Sequence, residues 1–152
     1  MEFKLGFGKQ QISFDINPDN LLGVLKPNEV EVELTGEAEV RRALSAPIGS
    51  APLSQLVKAG EKVAIITSDI TRPMPSKIVL PPLLEELYAA GVKAEDITVV
   101  FALGSHRKHT EDEMKYLVGE EVYKQVSCID LDVNDCVHLG TTSRGTPVDI
   151  FR

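Results

Sequence analysis

The residues of this sequence that could do chemistry fall in two short polar clusters, and each cluster follows an apolar run. They are Asp69, Thr71 and Arg72 within VAIITSDITRPMPSK, and Ser105, His106 and Arg107 within ALGSHRKHTEDE. A plain connecting turn between two elements needs no such charge. Both clusters are therefore candidates for binding or catalysis.

Arg72 and His106 are together suited to a small organic acid. An arginine offers a planar fork of N–H donors that pairs with a carboxylate or phosphate through two parallel hydrogen bonds. Pro73 favours an extended backbone at Arg72. A histidine changes charge near neutral pH, so His106 could exchange a proton with a hydroxyl group of the anion that Arg72 binds. Three roles are open for Asp69: it could fix Arg72, bind a ligand hydroxyl, or serve the N-terminus of the following helix.

Each cluster also has a purely structural explanation. The segment Asp-x-Thr-Arg-Pro could cap a helix that begins near Pro75, with Arg72 lying on the surface. Gly104 could serve only a tight turn, and His106 could be a solvent-facing loop residue. His106 and His109 are three residues apart and could share a metal ion, although zinc sites usually need a third ligand. Residue types alone leave these alternatives open.

The segments that must position the two clusters have the pattern of a βαβ unit. Residues 62–67 and 96–102 are predicted strands, and residues 76–90 between them are a predicted helix. Such crossovers are right-handed with parallel strands in almost every case, so both strands end at the same edge of the sheet. Ligands collect beyond the carboxyl ends of parallel strands. The sequence therefore predicts one crevice that holds Arg72 and His106 together.

The remaining segments are predicted to be scaffold. Alternating apolar residues predict a hairpin at the N-terminus around Gly8 and another at the C-terminus around Gly145. Short strands are expected at 21–25, 29–33 and 126–131, and helices at 37–44, 53–58 and after Thr110, which has capping-box spacing with Glu113. Pro81 and Pro82 are expected to bend or divide the central helix. The predicted fold class is α/β: a three-layer Rossmann-like domain with a parallel βαβ core and antiparallel hairpins at the N-terminus and C-terminus.

Composition narrows the classes of function. A chain of 152 residues with 43% apolar residues has room for a single folded unit. Its formal net charge of −7 disfavours nucleic acid as a partner. The N-terminal stretch lacks the apolar core of a secretion signal, and no stretch has the roughly 20 apolar residues of a membrane span, so we expect a cytoplasmic protein without membrane contact. Cys128 and Cys136 are expected to be reduced thiols.

Three stretches, SDITRPMPSK, LPPLLEELYAAGV and ALGSHRKHTEDE, resemble the amino-terminal part of the lactate racemase family, the nickel-pincer-nucleotide-dependent 2-hydroxy acid racemases and epimerases. The resemblance continues through GTTSRGTPVDI. It implies that Asp69, Ile70, Thr71 and Arg72 contact the pincer nucleotide, and that Arg72 also binds the carboxylate of a small 2-hydroxy acid substrate. It further implies that His106 is one of two catalytic histidines. Such a histidine deprotonates the substrate hydroxyl while the C2 hydride moves to the cofactor and returns on the other face.

Members of the family are usually much longer. Their second catalytic histidine, the lysine tethered to the cofactor and a nickel-binding histidine have no counterpart before Arg152, and His109 and His138 do not match those positions. The resemblance therefore implies that residues 1–152 are the N-terminal domain of a two-domain enzyme. Without the C-terminal domain, this chain is expected neither to retain the nickel cofactor nor to turn over substrate.

Two other classes of function remain. The same crevice could bind a small carboxylate or phosphate in a binding module without catalysis. Alternatively, apolar surface that a missing domain normally covers could drive assembly into a homo-oligomer. The sequence identifies neither the particular 2-hydroxy acid nor the oligomeric state.

Overall fold

A computed structural model describes residues 1–72 and 74–152. In chain order the elements are β1 (Glu2–Phe7), β2 (Gln10–Asp15), α1 (Gly36–Ser45), α2 (Leu53–Leu56), β3 (Val63–Ser68), α3 (Ser76–Ala89), β4 (Ile97–Ala102), α4 (Glu111–Val118), α5 (Glu120–Gln125), β5 (Ser127–Asp130), β6 (Cys136–Thr141) and β7 (Pro147–Phe151). The described residues fall into two compact units, 1–33 and 34–152. The length and composition of the chain predict a single folded unit. Within them, no helix has the length and apolar character needed to cross a membrane.

The first unit contains the predicted N-terminal hairpin. Strands β1 and β2 pair antiparallel from Glu2 opposite Asp15 to Phe7 opposite Gln10, and the rings of Phe3 and Phe14 stack with centroids 6.0 Å apart. The strands expected at 21–25 and 29–33 are absent from the described chain. Leu22 is fully exposed there, so its side chain is not buried against a sheet. A strand also needs a neighbouring strand for its backbone hydrogen bonds, which an apolar pattern alone does not supply.

The second unit is built on a parallel sheet. Within residues 34–72 and 74–152, the parallel strands lie in the order β3-β4-β5, with Val63 opposite Ile97 and Thr98 opposite Ser127. This confirms the predicted βαβ core, with α3 as its crossover. At the C-terminal end of the unit, β6 and β7 form the predicted antiparallel hairpin. The predicted α/β fold class, with a parallel core and hairpins at both termini, is confirmed.

The two faces of the parallel sheet differ in burial. On one face, Ile97, Val99 and Phe101 have no exposed surface and pack with the apolar side chains of α3, α4 and α5. The other face borders an apolar groove of about 350 Å³ that includes Ile66, whose exposure is 74%. Two successive right-handed crossovers between neighbouring strands place their helices on the same face. The described residues thus supply one helical layer and the sheet, and leave the second face of the sheet open. The third layer of the predicted three-layer arrangement is not formed by these residues.

Helix α3 runs continuously through Pro81 and Pro82, so the prediction that these prolines divide the helix is wrong. Each proline removes one helical N–H donor. The carbonyl groups that lose this donor belong to Lys77 and Ile78, both exposed residues, so water can satisfy them. Pro82 itself is buried in the core, and its packing favours the unbroken helix.

Local capping explains where α4 begins. The Thr110 side chain accepts the Glu113 N–H at 3.3 Å, and the Glu113 carboxylate accepts the Thr110 N–H at 2.9 Å. This is the capping box that the sequence predicts. It fixes the chain direction immediately after the loop that carries His106.

Because one face of the sheet is buried under helices and the other is open, truncating a side chain on each side should lower the free energy of unfolding by different amounts. Leu84→Ala removes a side chain that is 2% exposed in the helical layer and should lower the free energy of unfolding by about 2–5 kcal/mol. Ile66→Ala changes the open face and should cost less than about 1 kcal/mol. Urea unfolding of the two variants measures both costs. Equal losses would show that Ile66 is covered in solution.

Candidate functional site

The polar clusters lie at the carboxyl edge of the parallel sheet. Asp69 directly follows β3, and His106 lies in the loop after β4. Together with Arg72 they line a cleft of about 300 Å³, whose other walls are Ser68, Ala102, Leu103, Gly104 and Ser105. The structure therefore brings Arg72 and His106 into one cleft, the arrangement that the strand topology predicts.

Asp69 shapes its own loop. Its side chain is only 4% exposed, and Oδ1 accepts the Thr71 N–H at 2.9 Å and the Thr71 hydroxyl at 2.6 Å. The Asp69 carbonyl accepts the Arg72 N–H at 3.1 Å. A short side chain that accepts the N–H two residues ahead closes an Asx turn. Asp69 thus holds residues 69–72 in a compact turn at the end of β3.

The second carboxylate oxygen of Asp69 holds His106. His106 Nδ1 is hydrogen-bonded to Asp69 Oδ2. Hydrogen bonds from the Thr71 side chain and then from His106 lower the pKa of Asp69 from 3.8 to about 2. At neutral pH this carboxylate only accepts hydrogen bonds, so Nδ1 carries a proton and donates it. Nε2 is then the His106 nitrogen that can exchange a proton with a ligand.

Gly104 allows the turn that carries His106 into the cleft. Its φ is +58°, a left-handed conformation that strains any residue with a Cβ. A Cβ at this position would have no atom within 4 Å, so the requirement is conformational. The turn closes with the His106 N–H donating to the Leu103 carbonyl at 3.0 Å. The tight-turn role for Gly104 is therefore what the structure shows.

Arg72 has an exposed side chain that faces two clefts. It lines the 300 Å³ cleft with His106 and a neighbouring cleft of about 420 Å³ with Lys77 and Tyr116. No ion pair to Arg72 occurs among the residues that the structure describes. The suggested pairing of Asp69 with Arg72 is therefore wrong in the described structure. Pro73, which underlies the expected extended backbone at Arg72, lies outside the described residues.

Asp69 does not cap the following helix. The residue that precedes α3 is Pro75, and no side chain caps the N-terminus of this helix in the described part of the chain. The buried Ser76 hydroxyl of the first turn is instead hydrogen-bonded to the Thr67 hydroxyl at 2.7 Å. The capping explanation for the first cluster is therefore wrong, and Asp69 serves its own turn and His106.

Arg107 belongs to the scaffold. Its guanidinium donates to both carboxylate oxygens of Glu113, at 2.8 Å and 2.7 Å. The hydrogen bonds from Arg107 are the largest cause that lowers the pKa of Glu113 to about 2. Glu113 also belongs to the capping box of α4. Arg107 therefore fastens the His106 loop to α4 and does not present its fork to the cleft.

His109 has a structural role at the site that the sequence did not reveal. Its side chain is 1% exposed, its Nδ1 is 2.6 Å from Asp130 Oδ1 and its Nε2 accepts the Ile70 N–H at 3.0 Å. Both ring nitrogens are thus engaged, which leaves neither for a metal ion shared with His106. No group of metal ligands occurs in residues 1–72 and 74–152. The signal that could have identified this role is Asp130, an acid that ends a third apolar strand.

Comparisons with known proteins give consistent matches over nearly the whole chain. The sequence model of a family described as the lactate racemase N-terminal domain matches residues 7–152. The chain is 33% identical to a lactate racemase of Thermoanaerobacterium thermosaccharolyticum, covering 97% of this chain and 35% of the relative. It is 31% identical to a lactate racemase of Lactiplantibacillus plantarum, covering 93% of this chain and 34% of the relative.

A solved structure gives the same result. The lactate racemase apoprotein from Thermoanaerobacterium thermosaccharolyticum matches with a TM-score of 0.77 and 30% identity, covering 99% of this chain and 36% of that chain. The chain spans about a third of the length of the relatives that it matches. The resemblance stated from SDITRPMPSK and the other stretches is confirmed.

The lowered pKa of Asp69 predicts how its contribution to stability depends on pH. Because the folded pKa is about 2, below the ordinary value of 3.8, the contribution is complete above about pH 5 and is lost as the pH falls towards 2. The stability difference between the wild-type chain and Asp69→Asn should therefore be constant above about pH 5 and shrink below pH 4. Urea unfolding across this range measures it, with the exposed Asp112→Asn as the control. A difference that persists unchanged at pH 2 would contradict the assignment.

Proposed function

The chain belongs to the lactate racemase N-terminal domain family, and from this premise we propose that it is the part of a 2-hydroxy acid racemase that binds the substrate and supplies one catalytic histidine. One observation carries the proposal: Arg72 and His106 line the same cleft at the carboxyl edge of the sheet. A lactate-type substrate has a carboxylate and a hydroxyl on adjacent carbons. The cleft offers one group suited to each.

Arg72 and His106 have separate roles in the proposed reaction. The Arg72 guanidinium binds the carboxylate through its planar fork, which orients the 2-hydroxyl group. His106 Nε2 then removes the hydroxyl proton of one enantiomer as a general base, and it returns a proton to that enantiomer when the reaction runs in the reverse direction. Asp69 keeps the ring oriented through Nδ1 and stabilises the positive charge that the ring gains. This use of a buried carboxylate to orient an imidazole follows the same logic as in catalytic triads.

The described residues fit the anionic part of the nickel pincer nucleotide and not its metal. The cleft of about 420 Å³ is lined by two cations, Arg72 and Lys77, beside the N-terminal end of α3. A phosphate group suits such a position. Ile70 and Thr71 also line this cleft, as expected for cofactor contacts, whereas the Asp69 carboxylate faces Thr71 and His106. When bound, the cofactor would supply the hydride acceptor, and the nickel ligands would come from further polypeptide.

The open face of the sheet supports the proposal that a further domain packs against it in longer members of the family. Parallel sheets are normally covered on both faces, and here one face borders an apolar groove with Ile66, Val100 and Phe151. The relatives are about three times as long as this chain. We propose that the additional polypeptide of such proteins covers this face as a C-terminal domain. That domain would supply the second catalytic histidine.

A binding module for small carboxylates or phosphates is the second candidate function. It is favoured by the exposed Arg72 side chain, which lines both the cleft of about 300 Å³ and the cleft of about 420 Å³. Such a module would bind an anion at Arg72 without nickel or a second domain. If a longer protein that contains this chain bound a small carboxylate but did not racemise it, the binding-module function would be favoured over the racemase.

A chimera tests the proposed function. In it, this chain replaces the matching 35% of the Thermoanaerobacterium thermosaccharolyticum lactate racemase, and the chimera with its cofactor should racemise lactate. His106→Gln in the chimera should lower kcat by about 10²-fold or more, because it removes the general base. Arg72→Lys should raise KM by about 10-fold, because an ammonium group cannot form the paired hydrogen bonds. Polarimetry of each lactate enantiomer measures these rates.

The controls separate loss of function from loss of structure. Ile66→Val, on the open face, should leave the circular dichroism spectrum of the isolated chain unchanged, and so should His106→Gln. The isolated 152-residue chain should produce no racemisation with added cofactor. Turnover by the isolated chain, or a fully active His106→Gln chimera, would contradict the proposal.

A further inference from the structure

We infer that His109 and Asp130 are positioning residues: together they form a buried brace that holds residues 69–71 in the conformation that presents the Asp69 carboxylate to His106. The importance of this brace for catalysis rests on the proposed function of the His106 cleft. The brace itself follows from hydrogen bonds that link the ends of three neighbouring strands. Hereafter the pair is called the His109 brace.

The His109 brace is connected by three hydrogen bonds. Asp130 is the last residue of β5. Its Oδ2 accepts the backbone N–H of His109 at 2.8 Å, and its Oδ1 lies 2.6 Å from His109 Nδ1. On the other side of the ring, Nε2 lies 3.0 Å from the Ile70 N–H. The ring therefore spans the distance between the end of β5 and the loop after β3.

The backbone partner determines the tautomer of His109. A backbone N–H can only donate, so Nε2 must accept from Ile70 and carries no proton. The proton of the neutral ring is then on Nδ1, where it is donated to Asp130. A doubly protonated ring could not accept from Ile70. His109 therefore serves as a neutral connector and is not a second general base.

The surroundings hold the brace rigidly. The side chains of His109 and Asp130 are 1% and 6% exposed, and the fully buried ring of Phe101 lies against the His109 ring with centroids 5.1 Å apart. The Leu131 N–H donates to the Phe101 carbonyl at 3.0 Å, which ties the ends of β4 and β5. Buried hydrogen bonds of this kind confer one well-defined geometry, because leaving a partner unsatisfied is costly.

The brace acts on His106 through Asp69. Ile70 follows Asp69 directly, so the position of the Ile70 N–H constrains the Asp69 side chain. His106 and His109 lie in one loop and contact adjacent residues of the other loop, one at the Asp69 carboxylate and one at the Ile70 backbone. An apolar ring at 109 could pack against Phe101 equally well. It would, however, leave the Ile70 N–H without its acceptor, and the turn would be free to move away from His106.

Three substitutions at position 109 distinguish the contact of the His109 side chain with Ile70 from its contact with Asp130. The side chain of His109→Gln can place an acceptor near the position of Nε2, whereas that of His109→Asn retains a polar group near Nδ1 only. His109→Phe keeps the ring shape and no hydrogen bond. Amide hydrogen exchange in the isolated chain should be about 10-fold faster at Ile70 in the Asn and Phe variants than in wild type or Gln. The Val99 amide, in the buried strand β4, should be unchanged in all variants and serves as the control for folding.

A second readout follows the effect to His106. The side-chain ¹⁵N shift of His106 Nδ1 should change in the Asn and Phe variants and return towards wild type in Gln, because only Gln restores the Ile70 contact. Unchanged Ile70 exchange and His106 shifts in all three variants would overturn the brace. A Gln variant as perturbed as Phe, with Val99 unchanged, would also overturn it.

The chimera with the longer racemase measures the catalytic consequence. Asn and Phe at position 109 should lower kcat by about 10–100-fold, with a smaller change in KM for lactate, because the base is misplaced while Arg72 still binds the carboxylate. The Gln variant should recover part of the rate. If the wild-type chimera is inactive while the exchange pattern holds, the proposed function fails and the brace stands. If the rates change without the exchange pattern, the positioning role fails.

Discussion

The site depends on a single buried carboxylate, that of Asp69. One oxygen accepts two hydrogen bonds from Thr71 and thereby closes the turn after β3, and the other accepts the Nδ1–H of His106. Because these donors stabilise the charged form, the pKa of Asp69 falls to about 2, and the group remains an acceptor throughout the physiological pH range. The same group therefore sets the backbone beside Arg72 and the orientation of the imidazole opposite it.

The parallel sheet explains why these groups meet. Strands β3, β4 and β5 end at one edge, which places Asp69 directly after β3, His106 in the loop after β4 and Asp130 at the last position of β5. The helices that complete the crossovers cover only one face of the sheet, and the other face carries an exposed apolar groove. We propose that further polypeptide covers this face and completes the site at Arg72 and His106. This agrees with a chain that spans about a third of its lactate racemase relatives.

Features set by local pattern and chain topology could be predicted from the sequence. The alternation of strand and helix around SDITRPMPSK places Arg72 and His106 at one edge, and the spacing of Thr110 and Glu113 locates the start of α4. Features that depend on tertiary partners could not be predicted in this way. The 21–25 segment has a strand pattern but pairs with no strand in the described part of the chain. His109 has the sequence context of a surface or metal-binding histidine, and only the fold brings Asp130 and Ile70 to its two nitrogens.

The most direct test of this arrangement is the tautomer of His106, read from a long-range proton–nitrogen spectrum of the isolated chain at a pH where the ring is neutral. We expect Nδ1 to carry the proton, held by Asp69, and Nε2 to be unprotonated and available to a substrate hydroxyl. A neutral His106 ring with its proton on Nε2 would contradict this expectation, because Asp69 would then have no proton to accept and Nε2 could not act as a base.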